Sequence, residues 1–233
     1  MGSSKLKYLG VLIVIVVFGV FFIPKIFYRL NNNDVVDDNR ATSPLPLSYV
    51  TLNGLEKKVP PFLLYNQDSL LISNEDFNGK VYVAEFFFTR CPSICPIMNK
   101  NMKKIELKYG DRTDFGIASF SIDAKHDTPS VLKKYAEDYE VFSPNWHFLT
   151  GENDVIFSLA NKGFNIFSSI NPDVAGGFEH QGYFALIDKN GFIRSRTDRF
   201  GNPIVYYLGI DQNDVVQQDV DLLIEDIKKL LKE

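Results

Sequence analysis

The run KVYVAEFFF, Lys80–Phe88, is apolar or aromatic at every position except its first residue and Glu85. A strand with one face in water alternates polar and apolar side chains. A strand apolar on both faces has to be covered on both, which is the place of a central strand in a parallel or mixed sheet between helices. Immediately after it comes TRCPSICP, which holds both cysteines of the chain, Cys91 and Cys95, each followed by proline. The periodic segment IMNKNMKKIELKYG continues from there, with Gly110 as the expected C-cap of a helix.

The alternation continues. DFGIASFSID, Asp114–Asp123, reads as the next strand, and DTPSVLKKYAEDY as a helix capped by Asp127 or Thr128, with Pro129 near N1. NWHFLTG is a short strand and NDVIFSLANKGF a helix closing at Gly163. GYFALIDKNGFIR gives two strands around the hairpin signal Asp188-Lys189-Asn190-Gly191. The C-terminal segment is an amphipathic helix with Val216, Val220, Leu223, Ile227 and Leu230 on one face. The expectation is an α/β domain with a mixed sheet flanked by helices. A cysteine pair between its first central strand and the following helix is the thioredoxin-like arrangement.

At a helix start, unpaired backbone N–H groups and the helix dipole stabilise negative charge. A thiol there ionises more readily, and the thiolate is both a nucleophile and a metal ligand. Three residues separate Cys91 from Cys95, where thiol–disulfide enzymes of the thioredoxin type usually have two. If the segment is helical, the thiols share a face at i and i+4. Two such sulfurs can hold a soft ion, Cu(I) or zinc, with a third ligand from elsewhere. Spacing alone leaves a metal site, a redox couple and a structural disulfide open. Of the three histidines, His126 precedes a helix and His147 lies within a strand. His180 precedes a strand that neighbours the central one in this topology, so its loop opens near the cysteine turn. Met98 and Met102 follow the cysteines at helical spacing and read as core residues.

FFFTRCPSICP at 86–96, SIDAKHDTP at 121–129, WHFLTG at 146–151 and EHQGYFALIDKNG at 179–191 resemble, in this order, the Sco/SenC family. These are membrane-anchored, thioredoxin-like copper proteins of cytochrome oxidase assembly. The resemblance covers roughly residues 55–231. It implies that Cys91, Cys95 and His180 are copper ligands, and that Asp123 is an acidic residue near the site. Ala124 stands where the family usually has proline, His126 where it often has arginine, and Glu179 where aspartate is common. By resemblance the protein carries copper, as Cu(I) or Cu(II), to the dinuclear copper site of cytochrome oxidase subunit II; a monomer is expected. A second reading uses the same cysteines as a thiol–disulfide oxidoreductase that keeps the client's copper-site cysteines reduced. A peroxiredoxin-like peroxidase fits worse, because Thr89 lies two residues before Cys91 rather than three.

Tyr8–Pro24 is an uncharged stretch of 17 residues bounded by Lys7 and Lys25. As a helix it rises about 26 Å, slightly less than the roughly 30 Å hydrocarbon core, and the lysines can snorkel to close the gap. No A-x-A-like cleavage site follows, so a retained single transmembrane helix is expected. The expected organisation is an anchor over residues 1–30, a polar tether over 31–54 and the domain over 55–233. The first 29 residues hold Lys5, Lys7, Lys25 and Arg29 and no acid; of the chain's 25 basic and 29 acidic residues, 21 and 29 therefore fall beyond them, a charge of −8. An acidic body without a basic cluster argues against nucleic acid as a partner. The N-terminus lacks an Arg- and Ser-rich transit pattern, which favours a bacterial cytoplasmic membrane with the domain outside.

Overall fold

The computed structural model describes residues 3–31, 46–198, 201–213 and 217–233, and side chains from residue 9 to 25 within the first of these. The chain divides into two units, Met1–Asn39 and Arg40–Glu233. In the first, helix α1 spans Ser3–Asn31 and contains Pro24. Its apolar side chains between Leu9 and Ile23 are largely exposed. Among the described residues no helix is long and apolar enough to cross a membrane. Most of the expected tether, residues 32–45, lies outside the described residues.

The second unit is built on one mixed sheet. Its strands are β1 (Ser48–Tyr49), β2 (Val81–Phe87), β3 (Phe115–Ser121) and β4 (Trp146–Leu149). The sheet also takes β7 (Tyr183–Ile187), β8 (Ile193–Ser195) and β9 (Tyr207–Leu208), which follow a separate two-stranded arm of β5 (Ser168–Ile170) and β6 (Phe178–His180). The spatial order is β1-β8-β7-β2-β3-β4, with β9 beside β7. Strands β2, β3 and β4 run parallel, and β7 pairs antiparallel with β2. Every residue of β2 and β3 is buried, as the two-sided apolar run demands. Phe86 stacks on Phe120 and meets Phe164 on one face, while Phe87 packs on Tyr135 and Phe148 on the other. Strand β1 pairs with β8 between buried Leu47 and Val50, so the sheet recruits residues that the sequence reading places in the tether.

The helices are α2 (Ile94–Tyr109), α3 (Pro129–Asp138), α4 (Asn153–Ser158) and α5 (Asp219–Leu230). Gly110 is the C-cap of α2, and Thr128 and Pro129 open α3 as expected. The predicted end of α4 at Gly163 is corrected. The helix widens into a π-helical segment, Leu159–Phe164, and Asn165 ends it in the left-handed region at φ 56°. Gly163 sits inside that segment, where a Cβ would stand 3.0 Å from the Pro60 ring, so its role is close approach rather than termination. The hairpin at Asp188–Gly191 forms, with Gly191 at φ 82° and the Asp188 carboxylate accepting from the Asn190 and Phe192 N–H groups. In α5, Val220, Leu223, Ile227 and Leu230 are buried; Val216 lies outside the described residues.

Candidate metal centre

The central strand ends at Phe87, and the chain turns sharply: the Cys91 N–H donates to the Phe88 carbonyl at 3.2 Å. Pro92 and a non-helical Ser93 (φ −122°, ψ −84°) follow, and α2 starts at Ile94. The two cysteines are therefore not one turn apart on a single helix. Cys91 lies in the turn ahead of α2 and Cys95 in its first turn. They meet because the turn folds back over the helix start, where the Cys95 N–H donates to Cys91 Sγ at 3.5 Å. Ser93 makes no side-chain cap; the Cys91 sulfur accepts one of the orphan N–H groups instead. Both cysteines are free thiols, 8% and 1% exposed.

The third group arrives on the β5–β6 arm. His180 closes its register opposite Ser168. Gly176 and Gly177 form the loop at φ 91° and 82°, and a Cβ on Gly176 would stand 2.7 Å from the Phe88 ring. Phe88 in turn meets Phe178 and the edge of His180 at centroid distances of 5.4 and 5.9 Å. The His180 Nδ1 lies 3.2 Å from the Gln181 carbonyl. A carbonyl can only accept, so Nδ1 carries the proton and Nε2 keeps its lone pair. Nε2 lies 3.2 Å from Cys95 Sγ. The candidate ligand atoms of Cys91, Cys95 and His180 all fall within 4.8 Å of one another.

Comparison with known proteins gives the family and the fold. The SCO1/SenC family model matches residues 51–212. This chain belongs to the SCO1/SenC family. The SCO1 protein homolog of Bacillus subtilis is 37% identical over 139 residues, 59% of this chain and 72% of that protein. The structure of BsSco, described as a member of the Sco family of cytochrome c oxidase assembly proteins with a disulfide switch, superposes with a TM-score of 0.62 at 30% identity, over 80% of this chain and 98% of that one. Bradyrhizobium japonicum ScoI, solved with copper bound, shares the fold with a TM-score of 0.52 at 19% identity, over 74% and 99% of the two chains. The mixed α/β thioredoxin-like Sco fold is thus established for residues that include the whole candidate centre.

In this Sco domain the cysteine turn is tied to the loop between β3 and α3 by side chains whose pairing sequence reading did not find. Thr89 donates to buried Asp127 from its N–H at 3.0 Å and its hydroxyl at 2.5 Å, and Ser121 donates at 2.5 Å. Arg90 pairs with Asp123 at 2.5 Å. Asp127 was a candidate helix cap; it serves the cysteine turn instead, and Thr128 takes the N-cap position. Asp123 is buried beside the site, as the resemblance implies.

The two thiols differ in electrostatics. Cys91 is pulled well below the usual thiol range, first by the hydrogen bond from the Cys95 thiol, then by the backbone N–H groups of Cys95 and Ser93, against the effect of burial. Cys95 is pushed up, by that same hydrogen bond and by desolvation. One thiolate stabilised at a helix start next to one retained proton is a nucleophile with its resolving partner, and also two sulfur donors. His126 is exposed, and His147 is held in a different part of the fold by Asn66 at 3.3 Å and the Phe77 ring. Met98 and Met102 are fully buried core residues.

Proposed function

We propose that this Sco protein binds one Cu(I) through Cys91, Cys95 and His180 and passes it to the dinuclear copper site of a cytochrome oxidase subunit II. The observation that carries the reading is the convergence of two thiol sulfurs and one imidazole nitrogen within 4.8 Å. Sulfur-rich donor sets favour soft ions, and a three-donor set is one short of the closed tetrahedron of structural zinc. Copper is cargo here. The chain's own residues hold the thiols together, keep the imidazole lone pair free at Nε2 and shield the sulfurs from solvent. Oxidation to a Cys91–Cys95 disulfide removes both sulfur donors, so loading is gated by redox state.

The uncharged helix segment Tyr8–Pro24 serves as a retained anchor in a bacterial cytoplasmic membrane, with the domain on the outer face. The link between the two is shorter than the expected 31–54, because Leu47–Val50 join the sheet, and the domain from there to residue 233 carries the chemistry. What supports the anchor is the row of exposed apolar side chains from Leu9 to Ile23. Protease added to intact spheroplasts tests the orientation: digestion of the domain is expected, and protection contradicts it.

The second reading, reduction of the client's copper-site cysteines, is favoured by two free thiols in contact at a helix start, with the Cys95 N–H donating to Cys91 Sγ at 3.5 Å. The histidine separates the two. Thiol–disulfide exchange needs both thiols and no imidazole. A strain carrying His180→Ala is expected to lose oxidase assembly at limiting copper and to regain part of it with excess copper, since occupancy follows mass action. Full oxidase activity of that strain at limiting copper, with none in Cys91→Ser, makes reduction the function.

A further inference from the structure

His180 reaches the cysteines at the end of a short ribbon, and the hydrogen bonds of that ribbon leave one edge to be held from outside. The Gln181 N–H donates to the Phe167 carbonyl and the Asn171 N–H to the Gly177 carbonyl, both at 3.0 Å. Antiparallel bonds fall on alternate residues. Odd-numbered positions of β5 therefore bond to β6. Ser168, the register partner of His180, turns its N–H and C=O away from it. In such a pair the two backbones approach most closely, about 4.5 Å between Cα atoms. Ser168 is 3% exposed, so its outward N–H and C=O need partners within the protein.

One side chain supplies both. Asn161 lies in the π-helical segment that follows α4. Its Oδ1 accepts from the Ser168 N–H at 3.0 Å, and its amide donates to the Ser168 carbonyl at 2.8 Å. The amide also donates to the Phe157 carbonyl, one turn back on α4, at 3.0 Å. An N–H can only donate and a carbonyl can only accept, so the three contacts admit one orientation of the amide. Asn161 covers the free edge of β5 as one residue of a third strand would. Local geometry puts it there. Asn165 ends the π-helical segment in the left-handed region, and the Ile166 N–H returns to the Ala160 carbonyl at 2.9 Å. The chain reverses at that point and brings Ser168 back alongside Asn161. Single π-helical turns recur at functional sites, and this one carries the residue that holds the arm.

We infer that Asn161 is the positioning residue for His180. It ties β5 to the helix, β5 pairs with β6, and His180 at the end of β6 stands with Nε2 3.2 Å from Cys95 Sγ. The consequence for copper rests on the reading proposed above; the clamp itself exists in the metal-free chain. Releasing it should let the arm move off and take the imidazole with it. The turn that holds Cys91 is braced from the loop after β3 and should stay in place.

Two measurements on the reduced full chain in mild detergent test this. The first is amide hydrogen exchange without metal, followed by NMR. Asn161→Leu is expected to speed exchange of the Ser168 and Gln181 N–H groups about tenfold, while β2 and β3 exchange as in wild type. Gln181 decides, because its acceptor lies across the ribbon and is not Asn161. The second is Cu(I) binding in competition with a chelator, which should weaken about tenfold while Cys91 reacts with iodoacetamide at the wild-type rate. Gln67→Ala is the control. The Gln67 amide makes a similar double contact on β4, with the Trp146 carbonyl at 2.8 Å and the Phe148 N–H at 2.9 Å. Its loss should change neither arm exchange nor copper affinity. Wild-type exchange at Gln181 in Asn161→Leu overturns the inference, as does an equal loss of copper affinity in Gln67→Ala. If Asn161→Leu does not fold, Asn161→Asp answers the question. It keeps the acceptor for the Ser168 N–H and loses both donated bonds, so Gln181 exchange should still rise, and unchanged exchange overturns the inference. If His180→Ala binds Cu(I) as tightly as wild type, the copper reading fails, and the exchange measurement still decides the role of Asn161.

Discussion

The turn that carries Cys91 and the arm that carries His180 reach the same point with different support. The turn sits at the end of a strand buried on both faces. Its Thr89 and Arg90 are pinned by Asp127 and Asp123 from the loop after β3. The arm is a two-stranded ribbon three residues long on each side, outside the main sheet. It rests on Phe88 and on the exchange between Gln181 and Phe167, whose N–H groups donate to the Phe167 carbonyl and the Gln181 side chain at 3.0 and 2.9 Å. Phe167 and Ile170 on the arm are half or more exposed. Short ribbons with few buried contacts open locally at lower cost than core strands. Under the copper reading proposed above, the comparison would give the lasting hold on the metal to the thiols and make His180 the exchangeable ligand.

Substitutions that cut each support should separate these roles. The largest effect is expected at Asp127. Asp127→Ala leaves three donors, the half-buried Thr89 N–H and hydroxyl and the buried Ser121 hydroxyl, without their acceptor. A loss of about 3 kcal/mol or more in chemical denaturation is predicted, with the Cys91 thiol losing its fixed geometry. A loss below about 1 kcal/mol means that the turn is held by something else.

Gly176→Ala attacks the arm. The substitution places a side chain at φ 91° and against the Phe88 ring. It should cost about 1–3 kcal/mol of local strain and displace His180, weakening Cu(I) binding while the Cys91 reaction with iodoacetamide stays as fast as wild type. Equal damage to thiol reactivity removes the distinction between turn and arm.

A smaller effect is expected at Glu85. Its folded pKa, about 7, lies above the ordinary value of 4.5, so the folded chain binds this proton more tightly than the unfolded one. The stability it contributes is present at low pH and falls as pH rises through that window. Glu85→Gln should keep stability on the order of 2 kcal/mol that wild type loses between pH 5 and pH 8. Parallel stability–pH curves for the two proteins place the carboxyl in a more polar setting than its burial implies.

Much of this was readable in the sequence because the signals are local. The two-sided apolar run fixed the central strand, and the prolines and the helical period placed both cysteines at its exit. His180 was found through topology, since a strand next to the central one must bring its leading loop close. The β5–β6 arm was missed, because three-residue strands with mixed polarity carry no period. The bracing of the cysteine turn was missed for another reason. Asp127 stands where a helix start already accounts for an acid, and its partner Thr89 lies 38 residues away. Glu85 was visible as the one interior charge in β2, but its unpaired carboxyl oxygen exists only in the folded chain.

X-ray absorption at the copper edge, on the reduced full chain loaded with one Cu(I), tests the ligand assignment most directly. Two sulfur scatterers and one imidazole nitrogen are predicted for wild type. His180→Ala should lose the imidazole and keep both sulfurs, with weaker binding in competition with a Cu(I) chelator, while His126→Ala and His147→Ala match wild type. An unchanged imidazole signal in His180→Ala, or its loss in His126→Ala, contradicts the centre described above.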